Sequence, residues 1–470
     1  MTDAEIKMKD LPIVSLKIYD PEITIDEVIG FNAYDAETQA KIVEMKRAAE
    51  DEAKFKRAVK YGSPILFKIS AVNIPPFGDY LRIRTPCGHF VTIHDPNDEA
   101  LEFIELAKEE TVYVKTIVRP RKFGKKWTLF AEEVEFIIAS CDEETAKSLI
   151  NDYPPYVLLT LGYGYRPTGE SYGLILPRLL PLFRPQNVAL HVLSFTPPNT
   201  GKSTFANLTE RLTSAYFYTE TPTPANLVGD ARFGTKGTAY YHRTIIFDEF
   251  DKIASLERQK LEELWKILQT GMEQGTWRRA VSSKADLSFR NTVSLLFFGN
   301  VRDETLSGYG LERFNQNHKQ LMKAFIAEEY NLTSRQFVDR LCYAEYLTET
   351  PRTDDVLNVV DGEVKYLDPK VTRAIIKLID RKTFTDFKKI VKDKAGRHAN
   401  RINAFYTALH HLGFETSEQT VTALYNGNIT FSSLFTKLET SESDEELTDE
   451  DLERMVAGDF ACDVLNAESD

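Results

Sequence analysis

Thr196-Pro-Pro-Asn-Thr-Gly-Lys-Ser-Thr204, entered from the apolar run His191-Val-Leu-Ser-Phe195 and followed by helix-compatible residues as far as Leu212, decides the fold. A buried strand turning through a glycine loop into a helix leaves the first N–H groups of that helix unpaired, which makes a cradle for phosphate. Thr200, Gly201, Lys202, Ser203 and Thr204 are the candidate nucleotide-binding residues. Lys202 is suited to the terminal phosphates and the Ser203 hydroxyl to Mg²⁺. Thr196 stands where the usual G-x-x-x-x-G-K-[ST] pattern has its first glycine, and Pro197 and Pro198 stiffen the turn.

Working outward, Thr244-Ile-Ile-Phe-Asp-Glu-Phe-Asp251 supplies the partner motif. Its apolar half predicts a strand whose end delivers Asp248 to Mg²⁺ and Glu249 to an attacking water. A carboxylate on that water separates hydrolysis from mere binding. Asp251 and Lys252 read as a solvated helix start. The next strand, Thr292 to Asn300, ends in an amide suited to orienting the water. Before it, Gly275 to Phe289 reads as a β-hairpin turning at Ser282-Ser-Lys284. ATP and Mg²⁺ are the expected ligands, within a parallel α/β core.

Composition bounds the rest. The 470 residues suffice for two or three domains, and 42% hydrophobic with 27% charged content fits a soluble globular chain. No run of about 18 apolar residues and no signal-like N-terminus is present, so a cytoplasmic location, or a nuclear one in a eukaryotic host, is expected without membrane contact. Cys87, Cys141, Cys342 and Cys462 are isolated and suggest neither a disulfide framework nor a cysteine zinc site. The net charge of −13 is concentrated: Glu439 to Asp470 holds 13 acids and one base, a net of −12, leaving the body near neutral. Such tails are solvated or meet basic partners, and Leu447 to Val456 carries apolar spacing suited to a docking helix.

Toward the N-terminus a charged helix, Ala36 to Tyr61, precedes short alternating segments at Ile65–Val72, Tyr80–Arg84, Phe90–His94, Val112–Val118 and Trp127–Phe130. That spacing predicts a five-stranded oligonucleotide-binding (OB) barrel. Arg119, Arg121, Lys122, Lys125 and Lys126 surround Phe123 and Trp127 in a hairpin between the last two strands. Cations for phosphates and aromatic faces for bases suit a nucleic-acid strand. The alternative is a solvated hairpin with Trp127 turned into the barrel.

Phe247-Asp-Glu-Phe-Asp-Lys-Ile253, then Gly271-Met-Glu-Gln-Gly-Thr276, the hairpin and a strand ending at Asn300 resemble the minichromosome maintenance (MCM) replicative helicases, ring-forming AAA+ motors. The resemblance covers about 190 to 345. It implies a hexamer around single-stranded or forked DNA, Asn300 as first sensor, Arg313 as arginine finger and Arg335 as second sensor, with Arg373 in reserve. It also nominates Lys284 at the hairpin tip, with Arg278 and Arg279 at its base, for DNA contact. The phosphate loop itself is closer to viral superfamily 3 helicases, the zinc module common in MCM barrels has no cysteines, and the segment before Asp248 is short. A reduced relative carried by a virus or plasmid is the expectation.

Beyond about 350, Glu349-Thr-Pro-Arg-Thr-Asp-Asp355 reads as a linker, and helices at Asp368–Asp380, Thr383–Lys394 and His398–Leu412 predict a winged-helix-like unit. Arg397, His398, Asn400 and Arg401 open its third helix, for a DNA groove or a protein dock. The expected order is a helical segment with an OB-like barrel (1–145), an AAA+ ATPase domain (146–350), the winged-helix-like domain (351–436) and an acidic tail (437–470). Three activities fit: a DNA helicase, a replication initiator ATPase and an AAA+ remodeller of proteins. No second catalytic domain follows the core, which argues against a protease.

Overall fold

A computed structural model describes residues 11–15, 36–69, 72–73, 80–94, 96, 98–123, 126–231, 235–255, 257–282, 285–301, 319, 322, 335–347, 350–391 and 396–435. Arg313, Lys284, Lys125 and the acidic tail lie outside these residues, and the side chains of Arg335 and Lys126 are likewise not described.

After a short strand β1 (Ile13–Ser15), the predicted single helix is two, α1 (Ala36–Glu50) and α2 (Glu52–Tyr61). Asp51 breaks it: its backbone is extended (φ −102°, ψ 125°) and its carboxylate accepts the Lys54 N–H at 2.8 Å, an N-cap. Then come β2 (Pro64–Lys68), β3 (Val72–Asn73), β4 (Tyr80–Arg84), β5 (Phe90–His94), α3 (Asp98–Leu106) and the long ribbon β6 (Val112–Phe123) and β7 (Lys126–Ile138). They form one sheet in the order β2-β6-β7-β5-β4-β3, antiparallel except where β5 meets β7 at Thr92↔Phe130. Its two end strands, β2 and β3, are separated only by residues 69–71, so one stretch of chain holds both ends of the sheet. Strand alternation turns Ile65, Phe67, Leu81, Ile83, Val91, Ile93, Val112 and Val114 into a core closed by Phe55 of α2 and Ile104 of α3.

The central unit places α4 (Gly169–Leu179) before β8 (Val192–Thr196), α5 (Lys202–Leu212), β9 (Tyr216–Tyr218), β10 (Thr244–Phe247), α6 (Arg258–Gln274), the hairpin β11 (Thr276–Ser282) and β12 (Ala285–Arg290), then β13 (Ser294–Asn300) and β14 (Tyr343–Tyr346). The sheet runs β14-β8-β13-β10-β9, every pair parallel. Its residues alternate between two cores: Val192, Ile246, Leu296, Phe298 and Tyr343 enter one, Leu193, Phe195, Ile245, Phe247, Leu295 and Phe297 the other. Burial on both faces is why these strands read as unbroken apolar runs.

Following it, β15 (Val359–Val360) and β16 (Glu363–Leu367) form a hairpin on which β1 pairs antiparallel, and α7 (Pro369–Thr385), α8 (Arg397–His411) and α9 (Glu418–Asn426) complete the described chain. The helix expected at Thr383–Lys394 is not formed: α7 runs on to Thr385, and residues 386–391 have no helix. Asn403 of α8 explains it, its side-chain oxygen accepting the N–H of both Ile390 and Val391 at 3.0 Å. Ile375, Phe405, Leu409 and Leu424 of these helices share one buried cluster with Val192 and Phe298 of the central sheet. Among the described residues no helix is long and apolar enough to cross a membrane.

Candidate nucleotide site

β8 ends at Thr196 and the chain turns over Asn199 (φ +64°) and Gly201 (φ +72°) into α5. Two left-handed residues curl the loop, and at the second only glycine is free of Cβ strain. Residues 197–204 with Asp248, Glu249 and Asn300 line a cleft of about 1210 Å³, so the two sequence motifs meet in one place.

Lys202 is buried at the head of α5, its Nζ donating to the carbonyl oxygens of Thr196 and Pro197, both at 2.9 Å, and to Thr196 Oγ1 at 3.1 Å. Burial lowers its pKa to about 8, Arg178 adding to the fall and Asp248, Asp251 and Glu345 opposing it. Ser203 Oγ donates to Asp248 Oδ2 at 2.6 Å, bringing together the hydroxyl and carboxylate that would hold a hard cation bound through phosphate oxygens. The donor set therefore fits nucleotide-borne Mg²⁺. Thr200 turns inward instead, its hydroxyl 2.8 Å from Thr196 Oγ1 and donating to Pro197 O at 3.1 Å, so it shapes the loop.

Glu249 has φ +51°, a strained value for a side-chain-bearing residue of this type, and its carboxylate accepts from Lys252 Nζ at 2.5 Å. The turn lifts the carboxylate to the cleft edge after β10. Asp251 is not the solvated residue expected from its position: it is buried, and its carboxylate accepts the Asn300 N–H at 3.1 Å. That bond ties the end of β13 to the turn after β10 and fixes Asn300 beside Glu249.

Three functional candidates escaped the sequence reading. The supposed linker returns to the cleft, where Thr350, Pro351 and Arg352 form part of its wall; Thr350 Oγ1 is buried without a hydrogen-bond partner among the described residues. Arg352 is exposed there, and no carboxylate among the described residues lies within ion-pair reach. Beneath the loop, fully buried Arg178 of α4 donates to Thr200 O at 3.0 Å and packs 5.5 Å from the centre of the Phe298 ring. Buried Glu345 of β14 accepts from Ser194 Oγ at 2.5 Å and Tyr343 Oη at 2.8 Å. Desolvation raises its pKa, against those two hydrogen bonds and the charges of Arg178 and Lys202. A helix cation and a strand carboxylate at such separations in the chain leave no local motif.

Other candidates fall elsewhere. Arg373 is buried in α7, donates to Ser140 O at 2.5 Å and does not line the cleft. Arg335 opens a four-residue helix, Arg335–Val338. On the hairpin, Arg278 pairs with Asp286 at 2.8 Å, while Arg279 binds Glu263 of α6 at 3.0 Å and Gly229 O at 3.0 Å, anchoring the hairpin to the core. Trp277, at the base of the hairpin, is buried against Gly271 and donates to Asn291 O at 3.0 Å. Arg401 of α8 donates to Asp339 O at 3.2 Å and, with Asn400, faces α6, so this end of α8 packs on the central unit. At the tip of the β6–β7 ribbon Trp127 is 74% exposed, which rejects the inward alternative; Lys122 beside it is exposed, and Arg119 and Arg121 both pair with Glu132.

Residues 157–350 match the family model described as the ATPase domain of Lon-like protease BrxL-like proteins. The match supports an AAA+-related ATPase and does not single out the minichromosome maintenance helicases. Similar relatives are uncharacterized viral proteins. ORF426 of Acidianus filamentous virus 1 (isolate United States/Yellowstone) is 25% identical over 58% of this chain and 65% of its own. ORF425 of Acidianus filamentous virus 2 (isolate Italy/Pozzuoli) is 25% identical over 67% of this chain and 78% of its own. Protein 440 of Sulfolobus islandicus rod-shaped virus 1 is 23% identical over 77% and 80%. The central unit is thus an AAA+-type ATPase domain, and its relatives belong to mobile elements, as the phosphate loop suggested.

Proposed function

We propose that the protein is an ATP-driven DNA motor, an AAA+ helicase that unwinds duplex DNA for replication of a mobile element. One observation carries the reading: a hydrolytic cleft joining Lys202, Ser203, Asp248, Glu249 and Asn300 occurs in a chain whose N-terminal sheet projects an exposed Trp127 among basic side chains. The sheet order, with β2 and β3, consecutive along the chain, at its two ends and a parallel β5–β7 contact, supports the OB-type barrel. The β15–β16 hairpin beside α7, α8 and α9 supports a winged-helix-like unit, with α8 serving as a protein dock.

In this reading the N–H groups opening α5 receive the phosphates of ATP, and Lys202 exchanges the carbonyls of Thr196 and Pro197 for phosphate oxygens. Mg²⁺, when bound with the nucleotide at Ser203 and Asp248, neutralises phosphate charge. Glu249 takes the proton of the attacking water and the Asn300 amide orients that water. Ring assembly, hexameric by the MCM resemblance, would bring Arg313 to the neighbouring subunit's ATP.

The Lon-like family match favours a second reading, an ATPase that remodels proteins. The buried Trp277 counts against an aromatic pore loop at that hairpin. Steady-state ATP hydrolysis measured alone, with single-stranded DNA, and with a loosely folded protein separates them. Stimulation by DNA is expected; stimulation by the protein substrate alone would transfer the assignment, and equal stimulation by intact duplex would favour an initiator.

A further inference from the structure

The face of α2 turned away from the barrel core is basic. Phe55 and Ala58 are buried, while Lys54, Lys56, Arg57, Lys60 and Tyr61 are exposed. Lys56 pairs with Glu52 at 2.6 Å; no carboxylate among the described residues lies within ion-pair reach of Lys54, Arg57 or Lys60. Tyr61, at the end of the helix, is 64% exposed, with Lys60 Nζ 5.4 Å and Arg57 Cζ 6.0 Å from its ring centre.

This helix end abuts the ribbon. Gly62 closes α2 in the left-handed conformation (φ +67°), and a Cβ there would fall inside the Arg119 guanidinium. Arg119 therefore lies directly on the residue after Tyr61, and the end of α2 meets the ribbon face that carries Arg119 and Arg121, with Lys122 and Trp127 on the opposite face of the ribbon, nearer its tip. With the chain outside its acidic tail near neutral, such a run is a local excess of positive charge.

We propose that the C-terminal end of α2 is a second contact for the DNA single strand bound by the ribbon, Tyr61 stacking a base and Arg57 and Lys60 neutralising its flanking phosphates. The inference rests on the nucleic-acid reading of the ribbon and extends the binding track by one helix end. Stacking plus charge without hydrogen-bond readout gives a contact indifferent to sequence. The cations within reach of the ring hold it in place and supply the phosphate charge, so the site is formed before the strand arrives.

Fluorescence anisotropy with a labelled oligothymidylate of about 30 nucleotides tests this on the full chain. Tyr61→Ala is expected to weaken binding about tenfold, with Tyr61→Phe close to the unaltered protein. Arg57→Gln with Lys60→Gln should lower the slope of log K against log salt by roughly 1.4. Hydrolysis without DNA reports folding and should stay unchanged in all three. If Trp127→Ala weakens binding while Tyr61→Ala and the double variant match the unaltered protein, the α2 contact is wrong and the ribbon reading stands. If the unaltered protein does not bind the oligonucleotide, both fall.

Discussion

Lys202 is held by two carbonyl oxygens and a hydroxyl in a buried setting that lowers its pKa to about 8. Phosphate contact raises that pKa, so nucleotide binding takes up a proton above about pH 8. ATP affinity should be flat below that pH and weaken as pH rises beyond it, and nucleotide titrations from pH 7 to 9.5 check the slope. Lys202→Ala should abolish both binding and turnover, whereas Glu249→Gln should bind ATP normally and lose roughly 10²–10⁴-fold in turnover. Normal hydrolysis by Glu249→Gln would remove the base from Glu249. Arg352→Ala should raise KM for ATP about tenfold at unchanged melting temperature, since the side chain contributes a charge to the cleft wall and pairs with no carboxylate among the described residues. The phosphate-loop residues were legible because their geometry is local to a dozen positions. Arg352 was not: a Pro-containing polar stretch reads as linker until the fold returns it to the cleft, and Arg178 and Glu345 meet the loop only through α4 and β14.

A side chain of β2 joins the N-terminal sheet to the ATPase unit. Lys68 of β2 donates from Nζ to Thr213 O at 3.0 Å and to Glu210 O, capping the C-terminal end of α5, the helix whose N-terminus carries Lys202 and Ser203. Burial lowers the pKa of Lys68 to about 8, Glu210 opposing the fall. Between about pH 8 and its ordinary 10.5 the unfolded chain binds more protons than the folded one, so this group makes stability rise with pH across that window and leaves it flat below. Lys68→Met should abolish that rise and cost about 1–3 kcal/mol at neutral pH by leaving two carbonyls unpaired. Thermal unfolding of both proteins at pH 7 and 9.5 measures it; an unchanged melting temperature would show that the cap is dispensable. At this scale the strands of the N-terminal sheet and β8, β10 and β13 were legible from alternation and apolar runs, whereas the short edge strands β9 and β14 were not. The break at Asp51 and the non-helical residues 386–391 were not, because a cap and the reach of Asn403 from α8 override helix-compatible sequence.

Across the whole molecule, one buried cluster takes residues from Leu11 near the start to Phe435 near the end of the described chain, with the ATPase sheet between them. Tyr343 Oη accepts the Phe431 N–H at 3.1 Å while donating to Glu345, which also accepts from Ser194, so the C-terminal segment and β8, the strand that leads into the phosphate loop, share a hydrogen-bonded path. That the last helices complete the core of the central sheet depends on contacts separated by some two hundred positions, which no window along the chain registers. The central claim is that hydrolysis in this cleft drives strand separation. Displacement of a labelled strand from a forked duplex, measured with ATP for the unaltered protein and for Glu249→Gln, tests it most directly. ATP-dependent displacement lost in Glu249→Gln is the predicted result; robust ATP hydrolysis with no displacement from any fork polarity would contradict it.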